Sequence, residues 1–128
     1  MTYKNIAHDR YNDGSDITCH AAAAVTGKTF AAIAGDLVES MPQITTAAAG
    51  SATVGVVKYD ADKDAKVGIA RGSSRVVTVT AGGAITAGDD VAVGAGGKAV
   101  KATESAVVVG YSVNTVAAGE DAFISLNR

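Results

Sequence analysis

The chain has no tryptophan, a single cysteine, two leucines and no long apolar run. Each shortage excludes a class of protein. One thiol, Cys19, can close no intrachain disulfide and build no multi-cysteine zinc site. With no stretch of about 18 apolar residues there is no helical membrane span, and Met1–Asp16 is too polar for a signal peptide. Eleven basic residues face thirteen acidic ones, for a formal charge of -2, so the basic stripe that nucleic acid requires is missing. The expected chain is soluble, unexported, and bound to neither membrane nor nucleic acid.

Small side chains stand where large ones are scarce. Of the 128 residues 26 are Ala and 17 are Val, so much of the 48% apolar content buries little area. A chain of this length forms one compact domain with an under-filled core, and small domains already bury a lower share of their surface than large ones. Association with copies of itself or docking on another surface would supply the missing burial, and a closed homotrimer fits that need.

Two regions are distinguished along the chain. Residues 1–16 are polar and aperiodic and read as an extended N-terminal arm; residues 17–128 read as a single β domain. In the second region Val, Ile and Thr cluster in short runs between Gly, Asp and Ala, the pattern of strands and turns. The runs are Thr29–Ile33, Thr53–Tyr59, Lys66–Arg71, Val76–Thr80, Val91–Val93, Val107–Val113 and Ala122–Leu126. This spacing predicts an all-β small barrel or sandwich. The unbroken Val107-Val108-Val109 is expected to be core, covered on both faces. Ala21–Ala24 and Thr46–Ala49 are too short and too featureless to be helices and read as loops or extended segments.

An internal echo supports two related β units. Ala34-Gly35-Asp36, Ala87-Gly88-Asp89 and Ala118-Gly119-Glu120 read as three turn devices, each ahead of a strand. Gly35 matches Gly88 at an offset of 53 and Gly55 matches Gly110 at 55, so the units run from Gly35 to Ala70 and from Gly88 to Ser125.

Every candidate for chemistry fails on a specific residue. Asp60-Ala61-Asp62-Lys63-Asp64 opens like a calcium loop but has Ala65 where Gly is needed and Arg71 where Glu is needed, and reads as a solvated hairpin tip. Lys63 has the wrong neighbours for the modified lysine of a carrier domain. Gly94–Ala99 carries a G-x-G-x-x-A pattern and a Gly-Lys pair, yet a strand-like segment follows where a phosphate cradle needs a helix, so it reads as a Gly-rich hairpin. Cys19 and His20 are adjacent on a strand and point to opposite faces, which rules out a dyad. They read as a half-buried thiol and an exposed imidazole, while His8 lies in the arm without a scaffold. No catalytic, metal or cofactor-binding residue is expected.

The remaining pattern is informative in its order and spacing. Ala21–Phe30, then Val77–Val91, then Val108-Val109-Gly110 and Ala117–Glu120 together resemble the capsid decoration (cement) proteins of tailed bacteriophages, from about Ala21 to Leu126. The resemblance implies a small β-rich virion protein, made in the host cytoplasm, that binds the major capsid protein on the outer surface of an assembled shell, often as trimers. It brings no catalytic residues and no cofactor. For the shell contact the arm offers Tyr3, Lys4, Arg10 and Tyr11, aromatic and cationic types that anchor interfaces. The same composition also allows a tail or fibre component, or a barrel-type carrier or binding module built around Lys63.

Overall fold

The computed structural model describes residues 4–5 and 16–127. Ten strands make up the described chain: β1 (Ile17–Ala21), β2 (Phe30–Val38), β3 (Met41–Thr46), β4 (Gly55–Val57), β5 (Lys66–Ala70), β6 (Val76–Thr80), β7 (Asp90–Val93), β8 (Ala99–Lys101), β9 (Gly110–Ser112) and β10 (Asp121–Leu126). The only helical element among the described residues is a 3₁₀ turn, Ala95–Gly97, so the all-β expectation holds. β1-β3-β2-β4-β5 close a barrel, and β6-β10-β9-β7-β8 form a second five-stranded sheet.

The two sheets are one fold used twice. Adding 60 to the residue numbers of β1 and β2, and 55 to those of β3, β4 and β5, turns the pairings of the first unit into those of the second. Ile17↔Ile69 becomes Val77↔Ile124, Phe30↔Val56 becomes Asp90↔Tyr111, and Ile33↔Ile44 becomes Val93↔Ala99. The isolated bridge Val25↔Ala61 likewise becomes Ile85↔Val116. The parallel β1·β3 pair Ala21↔Ile44 survives in the second unit as a lone bridge, Ala81↔Ala99.

Two related units were expected, and the Gly55–Gly110 match is structurally correct. The Gly35–Gly88 match is not. Gly35 lies inside β2 at a break in register, whereas Gly88 lies in the turn before β7 with φ of 92°. Only the second and third Ala-Gly-acid triplets are therefore turns. In each, the acid accepts a bond from the N–H three residues back: Thr86 N to Asp89 Oδ2 at 2.9 Å and Ala117 N to Glu120 Oε1 at 2.6 Å. The first triplet sits on a hairpin with a different cause, described below.

Burial follows the repeat. The barrel interior holds Cys19, Ala21, Val25, Ala31, Ile44, Val57, Val67 and Ile69. Their counterparts Val79, Ala81, Ile85, Val91, Ala99, Ala122 and Ile124 fill the second unit, with Ser112 in the place of Val57. Side chains alternate along a strand, so Phe30, Val56 and Ala70 point outward from the barrel. All three are buried, packed into the core cluster of the second unit. Backbone bonds Thr80 N to Lys28 O (2.9 Å) and Gly50 N to Val93 O (2.8 Å) tie the same seam.

One core expectation is overturned. Val109 is 5% exposed, but Val107 and Val108 are 43% and 38% exposed. The run precedes β9 instead of lying within a central strand: Val109 N bonds to Val91 O, while Val107 N reaches Gly50 O at a long 3.3 Å. A continuous valine run fits a segment covered on one side only as well as a doubly covered strand.

Candidate functional site

The groups capable of covalent chemistry are kept apart. β1 alternates, so Cys19 faces the barrel interior and His20 faces outward. Burial leaves the thiol 1% exposed and pushes its pKa up to about 11, which keeps it neutral and unreactive at physiological pH. This is deeper than the half-buried thiol expected. The imidazole is also better covered than expected, with 16% of its side chain exposed and Nε2 lying 3.2 Å from Asp64 Oδ1. No group of three or more His, Cys, Asp or Glu suited to a metal occurs among the described residues.

The acidic tip Asp60–Asp64 links β4 to β5 and has an architectural job. Asp60 Oδ1 accepts from Gly27 N at 2.8 Å, and Ala61 bridges to Val25, so the tip is pinned to the loop before β2. Gly94–Lys98 is the turn of the β7–β8 hairpin, with a strand after it and no helix.

Surfaces, by contrast, are built with care. The first is the β2–β3 hairpin. Between the equivalent pairs Ile33↔Ile44 and Val93↔Ala99 the first unit has ten residues and the second five, so this hairpin extends five residues beyond its sister. Glu39 and Ser40 both take positive φ, 49° and 65°, the geometry of a two-residue I′ turn. Ile33 and Leu37 stand exposed along it. The Gln43 side chain crosses the Gly35 backbone, where a Cβ would meet the movable Gln43 Nε2 at 2.8 Å. At the base of the hairpin lies an open depression of about 520 Å³ lined by Ala32, Ile33, Thr53, Val54 and Arg71.

The second surface is the outer face of β6-β10-β9. Val76, Tyr111, Val113 and Phe123 are 54%, 47%, 46% and 44% exposed. Thr78 pairs with Phe123, and Ser125 lies between Val76 and Tyr111, so these side chains occupy neighbouring positions on one sheet face. Sequence reading missed this face because alternation marks which residues share a side, but not which side receives a neighbour.

The third is the root of the arm. Asp16 accepts from Arg75 at 2.6 Å and lies 3.7 Å from Lys58, which clamps the entry of β1 to the segment joining the two units. The hydrogen bond from Arg75 holds the Asp16 carboxyl below its ordinary pKa, against the opposing effect of partial burial. Of the arm's expected contact residues, Lys4 is exposed, and Tyr3, Arg10 and Tyr11 lie outside the described residues, as does His8.

The described residues thus form a duplicated β scaffold with exposed apolar surfaces, and Cys19 and His20 point to opposite faces. Residues 10–127 match the family described as phage cement protein. The chain belongs to that family. It is thus a phage structural protein, as its resemblance implied. Among solved structures, the N base of the head fibre gp8.5 of bacteriophage phi29 shares the fold of this cement-family chain. The TM-score is 0.74 at 24% identity, over 88% of this chain and 93% of the other. Among curated proteins no sequence relative matches.

Proposed function

We propose that this cement-family protein decorates the outer surface of an assembled phage head, where it binds the major capsid protein and bridges neighbouring subunits as a homotrimer. Membership of the cement family over residues 10–127 carries this reading. The fold supports it: exposed apolar groups are gathered on a projecting hairpin and a sheet face, and the most nucleophilic group is sealed in a barrel. The solved protein of like fold is part of a head fibre, which favours the head over the tail as the place of attachment.

Many modest contacts repeated over a lattice oppose the outward force of packaged DNA. The arm, residues 1–16, supplies reach, because 16 extended residues span at most about 55 Å at roughly 3.4 Å each. Tyr3, Lys4, Arg10 and Tyr11 are its proposed anchors, and residues 17–128 form the β domain they serve.

Co-sedimentation with heads stripped of decoration, beside purified tails, tests the reading. Binding to heads alone is expected, and deletion of residues 1–15, which keeps the Asp16 clamp, is expected to weaken it while leaving the thermal melt of the β domain nearly unchanged. Failure of the full-length chain to bind heads would overturn the proposal.

A further inference from the structure

The internal repeat shows where the chain ahead of a unit runs. In the second unit the segment before β6 crosses the end of β10: Ser74 N donates to Leu126 O at 2.8 Å, and Leu126 N donates to Arg75 O at 2.9 Å. These bonds carry the β6·β10 ladder past its last pair, Val76↔Ser125. The first unit has the same ladder between β1 and β5, ending at Ile17↔Ile69. There the equivalents of Ser74, Arg75 and Leu126 are Gly14, Ser15 and Arg71. Arg71 therefore stands where its counterpart receives the incoming chain. In the first unit that incoming chain is the root of the arm, clamped at Asp16 to Arg75 and Lys58.

The side chains at this crossing differ between the units. Ile17, Ile33, Pro42, Val54 and Arg71 ring one end of the first barrel above Cys19, around a cavity of about 210 Å³. At the equivalent end of the second unit, Val93, Val109 and Leu126 take the places of Ile33, Val54 and Arg71, and all three are buried. In the first unit Ile33 is exposed, and Val54 and Arg71 are half-buried. Arg71 follows Val67 and Ile69 in alternation, so it shares their inward side, and its Nε is buried. An apolar end is thus sealed with leucine in one unit and rimmed by a cation in the other. A guanidinium set among apolar walls suits a carboxylate.

We propose that residues 13–15 of the same chain continue β1 across Arg71 at this end of the barrel, with the Asp13 carboxylate on the Arg71 guanidinium. Gly14 N donates to Arg71 O, and Arg71 N donates to Ser15 O, as in the second unit. The Arg71 carbonyl also lies 3.4 Å from Arg75 Nη1, and its two lone pairs serve both donors. Counting back from the inward Ile17, alternation sends Ser15 and Asp13 to the side of Arg71 and Asp16 to the other, where Asp16 does meet Lys58 and Arg75. Asp13 then lies diagonal to Arg71, within reach of its long side chain. Because Ile33 and Pro42 belong to the same rim, the arm leaves the domain beside the base of the β2–β3 hairpin. Its remaining 12 residues span at most about 40 Å at roughly 3.4 Å each. The inference deepens the arm's proposed role by fixing where its reach begins, and rests on that role only for what the arm then touches.

Amide hydrogen exchange of the full chain, followed residue by residue by NMR, tests the crossing. Deletion of residues 1–15 should speed exchange at the Arg71 amide about tenfold and leave its counterpart Leu126 unchanged. Ordering the root costs conformational freedom that offsets most of what its contacts return, so the thermal melt moves little. A double-mutant cycle tests the side-chain pair. Asp13→Ala should speed exchange at the Gly14 amide about tenfold in the otherwise unaltered chain, and should add nothing in Arg71→Leu, which carries the second unit's own residue at that position. If Arg71→Leu does not fold, the truncation comparison still decides.

An Arg71 amide indifferent to truncation, or equal effects of Asp13→Ala in both backgrounds, would overturn the inference. Isotope-labelled truncated chain mixed with unlabelled full chain asks whether a second copy supplies the arm, and protection restored at Arg71 in that mixture would overturn it as well. Head binding separates the two ideas. Heads bound by a chain whose Arg71 amide ignores truncation overturn the crossing alone, whereas a docked root in a chain that does not bind heads overturns capsid decoration alone.

Discussion

Gly55 and Gly110 occupy equivalent positions, and the same obstacle explains both. A Cβ at Gly55 would lie 2.3 Å from the Ala70 carbonyl oxygen, and at Gly110 2.2 Å from that of Ser125. Either change to Ala should cost about 2–4 kcal/mol in urea unfolding, because backbone must move. Gly119→Ala meets open space and has only its φ of 86° to contend with, so about 1 kcal/mol is expected. Asp16 shows a different residue-scale effect. Its pKa is lowered in the folded state, so its ionised form stabilises the fold above the unfolded value near 3.8 and that contribution disappears as pH falls through the folded value. Asp16→Asn should therefore lower the melting temperature at neutral pH and converge with wild type in acid, measured by thermal melts across pH.

At the scale of elements, the β2–β3 hairpin is the clearest departure from the repeat. Its five extra residues carry Leu37 away from either core, beyond the exposed Ile33 at the hairpin base, so Leu37 contributes to contact more than to folding. The turn Glu39-Ser40 requires positive φ from two residues that resist it. Replacement by Asn-Gly should raise stability by roughly 1 kcal/mol in a thermal or urea melt, since that pair suits a I′ turn. Partial alternation marked Val76–Thr80, which is β6, and the apolar run Ala122–Leu126 gave β10 within a residue. β3 went unlisted among the sequence runs because Met41-Pro42-Gln43 lacks the β-branched signature; its pairing with β1 and β2 makes it a strand.

Across the whole molecule, the seam between units decides stability. Phe30 is fully buried by the second unit, so Phe30→Ala should cost about 3–5 kcal/mol. Because the two units share that cluster, one cooperative transition is expected for wild type and variant alike in calorimetry. The Cys19 thiol offers a probe of the same event. Sealed inside the barrel with its pKa near 11, it should react with a thiol reagent only as fast as the barrel opens, and the labelling rate should rise steeply with urea.

Strand composition, turn chemistry and the absence of any complete reactive motif are local properties, and the sequence by itself determined them. They suffice for an all-β chain, for the Gly55–Gly110 equivalence and for excluding Cys19 and His20 as a dyad. Long-range pairing decided the rest. The true offset of the repeat changes inside a hairpin whose length no local signal marks, so Gly35 was matched to the wrong glycine. Val107 and Val108 face water and Phe30 does not, because exposure depends on which face the other unit covers. Periodicity sorts side chains onto two faces; only the packing of one sheet against another chooses between them.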